Sequence, residues 1–266
     1  MNIFVRELQA HRKSTVIWAA SLIAVIVVFM SMYPAFTADV ALSTQVLQQF
    51  PKALLDAMDL SLDDFFTIFG FFGYLMNFVI LAGSIQAMNL GTGIIAKEIS
   101  GKTADFLLTK PITRGRVVSA KLAAALVLLL ATNVVFTIVA YATARALSKE
   151  PFSAGTFLLM ASTLLLVQLF FLALGALFAV VLPKVKSPVA VSLPTVFTFY
   201  MIAMVGDVVS SEGVRYMTPF KFFDPQYITA HGALEGTTLA LLGGFVAVAV
   251  GLSFVIYNSK DVRAPA

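Results

Sequence analysis

AKEISGKTADFLLTKPITRGRVVSAK, residues 96–121, is the one long polar stretch that lies between two strongly apolar runs and carries concentrated positive charge. Lys97, Lys102, Lys110, Arg114, Arg116 and Lys121 stand against only Glu98 and Asp105, a bias that holds a loop on the cytoplasmic side of a membrane. Within it, residues 104–110 have the length for about two helical turns, and Phe106, Leu107 and Leu108 offer an apolar ridge. Pro111 ends that helix, because it lacks an N–H and crowds the turn before it. A short helix with a greasy ridge and a basic rim, held at the ends of two spanning helices, suits docking to a soluble partner. A plain solvated face, with Glu98 and Lys102 paired at i, i+4, would explain the charges but not the ridge.

Composition sets the surroundings of this loop. The 266 residues are 59% hydrophobic and 12% charged, with a mean hydropathy of +0.93. Polar side chains are too few to cover a soluble globule of that size, so the chain is a polytopic, all-α membrane protein. There is no cysteine, which excludes a disulfide framework and a thiolate metal site. The formal charge of +4 fits basic residues that set topology better than a nucleic-acid surface.

Immediately before the loop, residues 65–95 form an apolar run of about 31 residues, or about 45 Å as a straight helix, longer than a bilayer requires. Its inner end is expected to project into the cytoplasm. The outer half is aromatic (Phe65, Phe66, Phe69, Phe71, Phe72, Tyr74), and the inner half carries Asn77, Ser84, Gln86, Asn89 and Thr92. Hydrocarbon offers such groups no partner. Asn77, Ser84, Gln86 and Asn89 therefore either bond helix to helix or line a translocation path.

After the loop come a third span over about 118–147, a short turn, a fourth span over about 157–182, and PKVKSP, which returns the chain inside. A fifth span follows over about 189–208, with Pro194 near its start, where proline is well tolerated. Residues 209–236 are rich in aromatics but interrupted by Pro219 and Pro225. They are too broken to span and too apolar for open water, which predicts short external, re-entrant helices before the last span. That last span, over about 237–257, carries Gly243, Ala247 and Gly251 four apart, a small-residue face that admits another helix.

Upstream, the acidic residues 34–64 form the first external loop, with Ser61 and Asp64 resembling a capping box at the next helix. The first span covers about 15–33. It is too long, and lacks a suitable cleavage site, for a signal peptide, so it is read as a retained helix. Ahead of it, Phe4 and Leu8 stack at i, i+4 while Arg6, Glu7, Arg12 and Lys13 point elsewhere, a pattern that fits a short interfacial helix or a disordered basic flank.

Counting charges tests the layout. Six spans with both termini cytoplasmic place thirteen of the 18 Lys and Arg inside and ten of the 14 acids outside, in the cell membrane.

Two tempting motifs fail. Gly101-Lys102-Thr103 resembles the end of a phosphate-binding loop, but that signature needs a glycine at Ala96 and a strand before it. His11 and His231 are the only histidines and read as lone surface residues, so no catalytic, cofactor or metal-ligating set emerges.

Taken together, KEISGKTADFLLTKPITRGRVVSAK (97–121), TPFKFFDPQYI (218–228) and YNSKDV (257–262) resemble the ABC-2 type transporter permease family, the transmembrane subunit of an ABC exporter. The resemblance covers the whole chain as a single transmembrane domain, 1–266, with 96–121 as its cytoplasmic coupling loop. It implies that Glu98, Gly101, Phe106, Leu107, Leu108, Pro111, Arg114 and Arg116 form or frame a coupling helix seated on a separate ATP-hydrolysing subunit. It implies ATP and Mg on that partner and none on this chain, an amphipathic connecting helix over 2–13, and pairing with a second copy or a sibling permease. One departure is the long first external loop. The rival readings are a stand-alone secondary transporter, for which internal repeats and mid-membrane charges are not found, and a non-transporting scaffold or sensor of the same fold.

Overall fold

The computed structural model describes residues 3–57, 60, 64–100, 113–209 and 212–259. Among them there are helices and loops but no strand. In chain order the helices are α1 (Ile3–Met30), α2 (Tyr33–Ala38), α3 (Val40–Leu47), α4 (Lys52–Ala57), α5 (Ile68–Ser100), α6 (Arg114–Leu147), α7 (Ala154–Val181), α8 (Pro188–Val209) and α9 (Glu212–Arg215). A 3₁₀ turn (Pro219–Lys221), α10 (Pro225–His231) and α11 (Gly236–Ser259) complete the chain. Among the described residues six helices, α1, α5, α6, α7, α8 and α11, are long and apolar enough to cross a membrane.

The bundle is organised around α5 and α7, which pack against each other over most of their length. Their crossing depends on glycine. A Cβ at Gly91 would lie 2.4 Å from the Leu172 carbonyl oxygen, and one at Gly175 would lie 2.6 Å from the Met88 carbonyl oxygen. The two backbones touch there, and no side chain fits between them. Gly83 and the fully buried Ala87 continue this small face toward the other end of α5.

Two apolar clusters fill the bundle. At the end carrying α2–α4, the aromatic half of α5 is core: Phe72 is fully buried and stacks on Phe157 with ring centroids 4.2 Å apart. The second cluster surrounds the glycine crossing. It also receives Phe222, whose ring meets Phe170 edge-on at 6.4 Å, while Phe245 stacks on Phe170 at 3.9 Å. The segment between α8 and α11 therefore folds back to the middle of α7. Lys221 pairs with Asp207 at 2.8 Å, and Arg215 pairs with Glu235, which ties that segment to its flanks.

The N-terminal segment differs from its sequence reading in one respect. It is helical, but it runs without a break into the first apolar run as the single helix α1. No proline or glycine separates Lys13 from Thr15, so nothing interrupts the helix. Arg6, Arg12 and Lys13 are exposed as expected, whereas Glu7 is buried.

Candidate functional site

α5 and α6 lead into and out of the basic loop. α5 stays helical through Ser100, and α6 starts at Arg114 after an extended Thr113. Glu98 lies in the last turn of α5. Its side chain, and Gly101, Phe106, Leu107, Leu108 and Pro111 with the short helix expected around them, lie outside the described residues. Arg114 donates from Nη1 to the Asn258 carbonyl at 3.4 Å, joining the start of α6 to the end of α11, and Arg116 is exposed.

Next to this loop, Lys121 is 2% exposed. Its Nζ donates to Glu7 Oε1 on α1 at 2.7 Å and to the Ile94 carbonyl on α5 at 2.8 Å. The second carboxylate oxygen, Glu7 Oε2, is 3.6 Å from His11 Nε2. His11 is thus half-buried beside a carboxylate, a correction to its reading as a lone surface residue. Its place one turn after Glu7 on α1 puts both on the face that packs inward.

One turn further along α1, His11, Ser14, Thr15 and Trp18 form one wall of a cleft of about 110 Å³. Gln86, Asn89, Leu90 and Gly93 of α5 form the opposite wall, and Pro188 of α8 closes one side. The lining is mainly neutral hydrogen-bonding groups on an apolar frame.

Behind Gln86 a chain of amides crosses three helices. Gln86 donates from Nε2 to Thr132 Oγ1 at 3.2 Å. Gln168 donates from Nε2 to Gln86 Oε1 at 3.2 Å and to the Gly83 carbonyl at 3.3 Å. Asn133 donates from Nδ2 to Gln168 Oε1 at 2.6 Å and to the Leu129 carbonyl at 2.8 Å. Of the polar residues singled out on the second span, Gln86 reaches both this chain and the cleft, and Asn89 lines the cleft. Ser84 is fully buried, and its hydroxyl has no hydrogen-bond partner among the described residues. Asn77 is half-buried on α5.

Sequence reasoning passed over Thr132, Asn133 and Gln168. The signal was present, since these too are polar side chains inside long apolar runs, the criterion that picked out Gln86. Glu7 and Lys121 were counted only as topology charges. Lys121 lies within the first two turns of α6, where its burial depends on what packs beside it.

Gly243, Ala247 and Gly251 lie exposed along α11, and a Cβ at either glycine would meet nothing within 4 Å. Within one chain, the close helix crossing uses Gly91 and Gly175 instead.

A bundle of six apolar helices with its polar groups turned inward is a multi-pass membrane protein. The family model of the ABC-2 family transporter protein matches residues 1–262, and the chain belongs to that family. It is a membrane component of the permease type. No match was found among curated proteins.

Proposed function

We propose that this chain is the membrane-spanning subunit of an ATP-driven exporter in the cell membrane, coupling ATP hydrolysis by a separate nucleotide-binding subunit to movement of a substrate. The observation that carries this reading is the family match over nearly the whole chain, together with the convergence of α5 and α6 on the basic loop. Both termini and that loop are cytoplasmic in this reading, because the basic residues concentrate there.

Binding of ATP and Mg closes a pair of nucleotide-binding subunits, which displaces the ridge formed by Phe106, Leu107 and Leu108. Glu98, Gly101, Pro111, Arg114 and Arg116 frame that contact. α5 transmits the displacement as a rigid element, since its backbone is seated against α7 at the glycine crossing. The cleft between α1, α5 and α8 then changes its access from one side of the membrane to the other, and hydrolysis resets it. Gln86 and Asn89 line this route on α5, whereas Asn77 and Ser84 lie on α5 outside the lining of the cleft. A neutral, hydrogen-bonding cleft fits a lipid-like or amphipathic cargo. The chain works as a homodimer or with a sibling permease, and the exposed Gly243, Ala247 and Gly251 face is a seam that another helix can approach closely.

Replacing Leu107 and Leu108 together by Asp is expected to detach the ATPase subunit while membrane insertion continues. The measurement is co-purification from detergent extracts with a co-expressed ATPase subunit that binds the unmodified chain; retained binding of the double variant would count against the docking claim.

A further inference from the structure

Lys121 holds a charge inside the bundle where topology alone does not require one. Its ammonium has acceptors on two other helices, Glu7 Oε1 on α1 at 2.7 Å and the Ile94 carbonyl on α5 at 2.8 Å. Glu7 is 7% exposed and Lys121 2%. Phe4 and Leu8 pack beside them against the core that holds Ile94 and Ile95. Three elements distant in sequence thus meet at one nitrogen, at the end of the bundle where α5 and α6 enter the basic loop.

Stability is a weak reason for such a pair. Two charges withdrawn from water lose hydration that their mutual attraction barely restores, and apolar residues of the same volume would often hold the helices together as well. What the pair adds is direction. An ammonium bonded at once to a carboxylate and a carbonyl sets both the rotation of α1 and its height against α5 and α6, which a greasy contact leaves free.

We infer that Glu7 and Lys121 are positioning residues, a clasp that makes the N-terminal turns of α1 move as one body with the two helices carrying the basic loop. Its consequence for transport rests on the proposed function, whereas the clasp itself rests only on the geometry. Since α1 and α5 are also the two facing walls of the cleft, the clasp keeps those walls together. Displacement of the loop then opens the cleft against α8 and does not prise α1 from α5.

The chain has no cysteine, so spin labels placed through Arg12→Cys and Lys97→Cys, both at exposed positions, report the α1–α5 distance without background. Full-length protein in phospholipid vesicles, with its ATPase subunit bound, is measured without nucleotide and with MgATP and vanadate. The clasp gives one narrow distance, the same in both states. Glu7→Gln and Lys121→Met broaden it, and Lys121→Arg restores the narrow distribution. The paired Glu7→Met/Lys121→Met variant keeps apolar packing and an unchanged melting temperature, yet its distribution stays broad. In that variant the ATPase remains bound, but its stimulation by the permease falls about tenfold. A narrow distribution in the paired variant, equal to that of the unmodified chain, overturns the inference. If no ATPase binds even the unmodified chain, the proposed function fails, and the nucleotide-free distances still decide the clasp.

Discussion

Gln168 commits both N–H groups and its oxygen to neighbouring helices: the oxygen accepts from Asn133, and the nitrogen donates to Gln86 Oε1 and to the Gly83 carbonyl. Replacing it by Leu leaves those partners unsatisfied in a dry interior. A loss of about 1–2 kcal/mol is expected, the upper range for interhelical hydrogen bonds in membranes. Ser84 supplies the contrast, being fully buried with an unpaired hydroxyl among the described residues. Ser84→Ala removes a polar group that gains nothing by folding, so stability is expected to hold or to rise by up to about 1 kcal/mol. Thermal unfolding of the two purified variants in one detergent checks the ranking; an unchanged Gln168→Leu beside a weakened Ser84→Ala would reverse it. Polarity at membrane depth made Gln86 legible as a residue needing a partner. Which partner it has depends on the rotation of α6 and α7, which no local pattern records.

At the scale of the helices, α5 and α7 are closest where Gly91 meets the Leu172 carbonyl and Gly175 meets the Met88 carbonyl. A leucine at either position must displace backbone and not a flexible side chain. Gly91→Leu or Gly175→Leu is expected to cost more than the roughly 1–3 kcal/mol of ordinary overpacking and to reduce folded protein recovered from membranes. Gly251→Leu is expected to leave the isolated chain within about 0.5 kcal/mol of the original, because the position is open. If a second copy uses this face, the same change weakens the dimer, which cross-linking in vesicles measures; an unaffected dimer assigns the seam elsewhere. Small residues four apart marked α11 in the sequence. Gly83, Ala87 and Gly91 have the same spacing on α5, and only the fold distinguishes the buried face from the exposed one.

For the molecule as a whole, the charge count expects the basic loop on one side and residues 34–64 on the other. Single cysteines at Lys102 and at Lys52 test this without background, the chain having none of its own. An impermeant maleimide added to intact cells is expected to label the residue-52 variant and to spare the residue-102 variant until the membrane is opened. The opposite pattern would place the loop out of reach of any cytoplasmic ATPase and end the proposed coupling. The expected pattern puts the loop on the side where the proposed function needs an ATPase subunit to reach it.

The motifs at 97–121, 218–228 and 257–262 carried the resemblance to the family, while hydropathy and charge, which are counted along a chain, sufficed to find six apolar runs and an all-helical membrane protein before any contact was known. Those quantities are additive and local, and the bilayer acts on each run separately. Contacts are different. That Lys121 reaches Glu7, that Gly91 faces Gly175, and that Gln168 joins Gln86 to Asn133 depend on the rotation and crossing of helices far apart in sequence. Each run has several faces apolar enough for lipid or protein, so the choice among them falls to close packing of the assembled bundle.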